Sequence, residues 1–285
     1  MNLASYYKEV IIKALSPLIR TKWVRKLKYV RFRRILKINL SIRDIHKSNN
    51  RCFVVGAGPS LKNIDTDKLK NEVVIGINQA YLDSRISSVK NKYWVLIDYF
   101  LMNEIPLDTL RAIEKGVGDA TYFLPVQAIP ICQKYNLFEG KKKYYICFSN
   151  LAEPFDQISD DQLDLSCGII KPHGTAETAM ICAVFMGFKR IHLIGVDSDW
   201  FTHKTPEGNH FYKVADNPYC VDNKIQYWIN HNNMESKLHY GYLLYRSYRL
   251  LWEALQKRNI EVYNASGGGL LDVFPLVDYE MLFDS

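Results

Sequence analysis

The sequence has no uninterrupted apolar run near the ~18 residues a bilayer-spanning helix needs, and no charged, apolar and small-residue order of a secretory signal. The expectation is a cytoplasmic chain that meets a membrane, if at all, at its surface. It has no CxxC pair. Its six cysteines, Cys52, Cys132, Cys147, Cys167, Cys182 and Cys220, are scattered and partly within apolar runs, which argues against a zinc site or disulfide framework and for small buried hydrophobes in a reducing compartment. There is no internal repeat and no low-complexity tract. Acidic residues are scarce at one end only. Residues 1–50 hold 13 Lys and Arg against 2 Asp and Glu, and residues 51–285 hold 24 against 28, so the first part carries +11 and the rest −4. A body of net negative charge argues against nucleic acid as a partner, and a basic appendage argues for an anionic surface.

Within that appendage Val10, Ile11, Leu15, Leu18, Ile19, Trp23 and Leu27 alternate with Lys and Arg, and Pro17 interrupts the pattern. The reading is a basic amphipathic segment over residues 1–50, of which 1–40 would lie on an anionic membrane at its inner face. Residues 51–285 then form the catalytic domain. Short apolar runs, "CFVV", "VVIGIN", "YWVLI", "ATYFL", "YYICF", "IHLIGV" and "IEVYNA", alternate there with helical stretches. This predicts an α/β fold: a Rossmann-like, mostly parallel sheet with helices on both faces. The clearest helices are expected from Thr175 to Gly187 and from Tyr240 to Asn259. Residues 149–172 are acidic and irregular. Residues 199–237 are rich in Asn, His, Tyr and Pro without periodicity, the mark of a lid insertion.

Four stretches carry candidate chemistry. In "GAGPSL", Gly56 and Gly58 allow a tight turn after the first strand, Pro59 suits a first helical turn and Ser60 offers a hydroxyl. Such a turn either cradles a phosphate or only joins strand to helix. A dinucleotide site would want a small residue at Leu61 and an acid closing the second strand, where Asn78 and Gln79 stand; an NAD enzyme is disfavoured. In "KPHGTAETA", Gly174 and Thr175 open a helix, with Lys171 and His173 as nearby donors. In "LIGVDSDW", Asp197 and Asp199 form an Asp-x-Asp pair, which holds a divalent ion or simply shapes a loop. In "SKLHYGYLL", His239 is expected at the start of the long helix, where the dipole favours a neutral imidazole that can accept a proton. His203 and His210 in the insertion compete for that role.

The stretches "VVGAGPSL", "GINQAYL", "HGTAETAMICAVFMGFKRIHLIGVD" and "HYGYLLYRSYRLLWEALQKRNIEVYNAS" resemble, in order and spacing, the bacterial sialyltransferases of glycosyltransferase family 42 over about residues 51–275. The first also resembles the wider group with flagellin-modifying nonulosonate transferases and 6-hydroxymethylpterin diphosphokinases. The resemblance implies a GT-A-like variant of the Rossmann fold with a small lid. It implies an inverting transferase that moves sialic acid, or a related nonulosonic or Kdo-type sugar, from a CMP donor without metal to a lipooligosaccharide or capsule precursor. It places Gly58 and Ser60 at the CMP phosphate and ribose, Asn78 at the ribose or phosphate, Thr175 near the donor, and Gly195 and Asp197 at the cytosine. Gly56, Pro59, Gln79, Asp98, Gly174 and Ser266 of "SGGG" join this donor-binding set. The catalytic histidine would be His239, or Tyr242 if the alignment shifts by three. Asp199 stands where the family has a tyrosine assisting the leaving phosphate, and Tyr212 is the candidate for that task. No cofactor is implied, although Asp197 and Asp199 would serve a metal-dependent donor. A Mg-dependent diphosphotransferase and a non-catalytic membrane scaffold are the alternatives, and a homo-oligomer stays open.

Overall fold

A computed structural model describes residues 30–48, 51–101, 107–148, 157–203, 208–213 and 233–284. All seven apolar runs form strands: β1 (Arg51–Val55), β2 (Val73–Ile77), β3 (Asn91–Val95), β4 (Thr121–Pro125), β5 (Lys143–Ile146), β6 (Arg190–Ile194) and β7 (Glu261–Asn264). They make one parallel sheet in the order β5-β4-β3-β2-β1-β6-β7. Their unbroken apolarity follows from burial on both faces. Along β1, Cys52 and Val54 enter one core while Phe53 and Val55 enter the other. The strand order reverses between β1 and β6. This reversal is the switch point at whose carboxyl edge open α/β folds bind ligands.

Among the described residues four longer helices cover the sheet: α1 (Leu107–Val117), α2 (Ala128–Tyr135), α3 (Thr175–Phe185) and α4 (Met234–Gln256). Leu110, Ile113 and Val117 of α1 and Cys132 of α2 pack on one face; Met180 of α3 and Leu244, Tyr248 and Leu251 of α4 pack on the other. Every side chain of α3 from Thr175 to Ala183 is buried, because the helix is covered by the sheet below and by α4. It gives way to Gly187, at φ +98°, as its sequence predicts. The long helix begins six residues before the expected Tyr240. Asn233 caps it by accepting from the Ser236 N–H at 2.9 Å, a signal inside a stretch otherwise read as loop.

The described part of the basic segment belongs to the body. Leu36 packs on Val126 and Cys147, and Ile42 enters the main core. Buried Asn39 covers the edge strand β5: its Nδ2 donates to Tyr145 O (2.7 Å) and Leu165 O (2.8 Å), and its Oδ1 accepts from Tyr145 N (3.2 Å). One side chain thus replaces the missing neighbour strand. Residues 1–29, which hold most of the amphipathic pattern, lie outside the described residues. Among the described residues no helix is long and apolar enough to cross a membrane. Cys52, Cys132, Cys147 and Cys182 are buried and Cys167 is exposed; Cys220 lies outside the described residues.

Candidate functional site

The site grows from the loop after β1. Gly56 N–H donates to Ile194 O at 2.8 Å and Gly58 N–H to Gly195 O at 2.7 Å. A Cβ on Gly56 would stand 2.2 Å from Gly195 O, and one on Gly58 would stand 2.5 Å from Asp197 Oδ2. Both glycines are therefore required by the close approach of the β6 loop, and their amides are turned to it. The turn continues into two 3-10 turns, Pro59–Asn63 and Thr66–Asn71, with no α-helix behind it to supply a dipole.

Asp197 locks the two loops together. It is 2% exposed; Ser60 N–H donates to its Oδ2 at 2.8 Å and the Ser60 hydroxyl donates to its Oδ1. Burial raises its pKa, opposed by the two Ser60 hydrogen bonds. Gly195, at φ +62°, turns the chain into this position. Asp199 does not join Asp197: it faces His203 Nε2 at 3.3 Å. Both Asp197 oxygens thus accept from Ser60, while Asp199 is turned to His203. Among the described residues no group of three His, Cys, Asp or Glu is placed to hold a metal.

The "SGGG" turn closes over the same point. Gly269, at φ +77°, lies so near Asp197 that a Cβ would meet its Cα at 2.4 Å. Buried Ser266 accepts from Val196 N–H at 3.3 Å, and Asn264 fixes the turn by accepting from Ser266 N–H (2.9 Å) and donating to Leu271 O (2.7 Å).

A second cluster forms at the ends of β2 and β3. Asn78, at φ +46°, and half-buried Gln79 begin a 3-10 turn. The Asp98 carboxylate accepts from Asn78 Nδ2 at 3.0 Å and from the Thr175 hydroxyl at 2.8 Å. One oxygen, Asp98 Oδ2, thus joins three separate candidates and sets the start of α3 beside the β2 loop. Asn78 Oδ1 is buried without a hydrogen-bond partner, an acceptor facing a cost unless a donor meets it. Gly174 N–H donates to Glu177 Oε2 at 2.8 Å, and the Ser247 hydroxyl to Glu177 Oε1. Glu177 is wholly buried and was not singled out from sequence, although Glu three residues after a cap is a legible signal. Lys171 and His173 precede this helix, exposed and half-buried.

The described piece of the insertion, residues 208–213, lies on the glycine turn. Phe211 N–H donates to Ala57 O at 3.0 Å. His210 also bonds the Ala57 backbone, and burial holds its pKa below the usual value. Tyr212 is buried and stacked on the His210 ring at 4.8 Å. Residues 204–207 and 214–232 of the expected lid lie outside the described residues. His239 is the sixth residue of α4, not its first, and is exposed. The dipole effect is confined to the first turn, so the predicted neutralisation of His239 by the helix start lacks its geometric basis.

No protein-family model matches the chain, and no curated protein does. Two solved structures of the sialyltransferase CstII from Campylobacter jejuni are similar to it, both at 17% identity over 80% of this chain. One, in complex with the substrate analogue CMP-3FNeuAc, is covered over 86% of its length at a TM-score of 0.41. The other, with cytidine-5'-monophosphate, is covered over 85% at 0.42.

Proposed function

We propose that this chain is an inverting glycosyltransferase that moves a nonulosonic acid from a CMP donor to a cell-surface glycan precursor. The observation that carries this reading is the Asp98 carboxylate, which ties Asn78 to Thr175 at the carboxyl edge of the sheet. Asn78 and Thr175 come from two of the four stretches that resemble family 42, and Ser60, from a third, is joined across the adjacent switch point to Asp197, which ends the stretch that holds Thr175.

In this reading Asn78 Oδ1 accepts from the nucleotide, and the phosphate lies at the start of α3, whose first-turn amides lack intrahelical acceptors. The acceptor oxygen attacks the anomeric carbon as the bond from that carbon to the phosphate oxygen breaks. CMP leaves with the electron pair, and His239 takes the acceptor proton. Tyr212, held against the glycine turn by its neighbour Phe211, donates to the departing phosphate. The engagement of Asp197 by Ser60 favours a donor handled without metal over Mg-dependent diphosphotransfer.

The partner surface in this reading is an anionic membrane. Val30, Ile38, Leu40 and Ile45 are exposed next to Arg31, Arg33, Arg34 and Lys37, a mixture that suits headgroups and acyl chains together.

The test is thermal unfolding with CMP, UDP, GDP and ATP, each in EDTA and in Mg²⁺. CMP at about 100 times its dissociation constant adds about 2.7 kcal/mol to the folded state and should raise the melting temperature in EDTA. Stabilisation by a diphosphate nucleotide only with Mg²⁺ would replace this reading with phosphotransfer.

A further inference from the structure

We infer that a cavity along α4, next to the loop of Asp197, binds the acceptor and takes a saccharide that carries a carboxylate or phosphate. As an acceptor subsite it rests on the transferase reading above; as a saccharide site it stands on its own walls.

The cavity measures about 400 Å³ and is walled by Tyr242, Tyr245, Arg246, Arg249 and Trp252, with Val273 from the chain after β7. Its size falls in the range of small-ligand sites. The helical positions step by three and four, so they form one stripe along α4. Three aromatic rings offer flat apolar walls that match the C–H faces of sugar rings. The Arg249 guanidinium offers a forked donor that matches a carboxylate or phosphate, and Arg246 adds positive charge beside it.

Several details favour a ligand over a purely structural role. Tyr242 is 63% exposed, so its ring contributes little to the core. Trp252 is held edge-on against Phe274, with ring centres 5.7 Å apart, and thus presents a fixed surface. Arg249 pairs with Glu253 through Nη1 at 2.6 Å, an exposed contact that leaves its other N–H donors for a ligand. Tyr245 donates its hydroxyl to Ser198 O at 3.4 Å, which fixes this wall of the cavity to the loop of Asp197 and leaves the phenol oxygen as an acceptor.

The position suits an acceptor. Ser198 directly follows Asp197, which holds Ser60, and Tyr245 touches Ser198. His239 stands three residues before Tyr242 and seven before Arg246, on the same stripe. The cavity thus touches the loop of Asp197 through Tyr245, and the proposed base lies on the turn of α4 that precedes Tyr242.

The experiment measures binding to the full chain without donor, by isothermal titration calorimetry with 3'-sialyllactose, lactose and inorganic phosphate. The expected result is that 3'-sialyllactose binds at least about tenfold more tightly than lactose, through a charge-assisted contact. Inorganic phosphate alone should not reach the 3'-sialyllactose affinity. Arg249→Gln should remove most of the difference between the two sugars, and Tyr242→Ala should weaken both. Each substitution is at an exposed position and should leave the melting temperature and the CMP-induced shift unchanged. Equal binding of lactose and 3'-sialyllactose, phosphate binding as tight as the sugar, or indifference to both substitutions would overturn the proposal. Saccharide binding at these residues without any response to CMP would leave the site standing and remove the transferase reading. A CMP response without saccharide binding would remove the site alone.

Discussion

His192 shows how far a single residue can sit from its usual chemistry. It occupies the centre of β6, directly opposite Phe53 on β1 and Tyr263 on β7, and stacks with both. Neither ring nitrogen has a hydrogen-bond partner. Burial, with Arg51 and Arg190 nearby, pushes its pKa down to about 4. Below the ordinary pKa of 6.5 the unfolded chain takes up a proton that the folded chain refuses until about pH 4. Folding stability therefore declines as pH falls from 6.5 towards 4, by at most about 3 kcal/mol. His192→Phe keeps the stack and should flatten the melting temperature across that window; parallel acid curves for both proteins would refute the assignment. At the proposed base, His239→Ala should lower kcat at least about a hundredfold and leave the CMP-induced shift intact. If His210→Ala abolishes turnover while His239→Ala retains it, the base is on the insertion. Asn78 and Thr175 were legible because each closes or opens an element with a clear pattern. Asp98 entered the donor-binding set through the resemblance alone, and Glu177 carries the local signal of an acid three residues after a cap; their bonds to Thr175 and Ser247 span 77 and 70 residues, which no local pattern contains.

At the scale of elements, the loop after β1 shows why a glycine motif is ambiguous in sequence. "GAGPS" has the residues of a phosphate cradle, yet Gly56 and Gly58 are explained by the β6 loop lying against them. The "SGGG" turn gives a direct test of that packing. Gly269 combines φ +77° with a Cβ position 2.4 Å from Asp197 Cα, whereas Gly267, at φ +66°, has nothing within 4 Å. Gly269→Ala must shift backbone and should cost at least about 2 kcal/mol and weaken the CMP response, while Gly267→Ala should cost about 1 kcal/mol from conformational strain alone. Equal losses in urea unfolding would show that the turn does not support the Asp197–Ser60 lock. The long helix α4 was recognised by its apolar period, but its start was hidden: Met234 to Lys237 reads as the end of the insertion until Asn233 is seen to cap the helix.

At the scale of the whole molecule, the charge division at residue 50 is real in sequence but does not coincide with the packing boundary. Arg43 bonds both oxygens of Asp164 at 2.8 Å, His46 meets the Tyr93 hydroxyl at 2.7 Å, and Asn39 seals β5. Deleting residues 1–29 should leave the melting temperature within about 2 °C and weaken sedimentation with anionic vesicles. Deleting 1–48 should strip Leu36, Asn39 and Ile42 from the body and lower it by about 10 °C, since several buried contacts and hydrogen bonds go together. Equal thermal behaviour of the two truncated chains would show that the segment is an appendage after all. Vesicle binding unchanged by removing 1–29 would place the membrane contact on the exposed apolar and basic residues that follow.

The sequence by itself determined the seven strands, their parallel arrangement and the helix that opens at Thr175. Apolar runs buried on both faces and a capped apolar helix are local patterns, and the alternation of strand and helix constrains topology. Only the tertiary structure decided which of the candidate residues meet. Ser60 and Asp197 are 137 residues apart and Asp98 and Thr175 are 77 apart. Their pairing depends on where the sheet order reverses, and that reversal is set by the packing of all seven strands together.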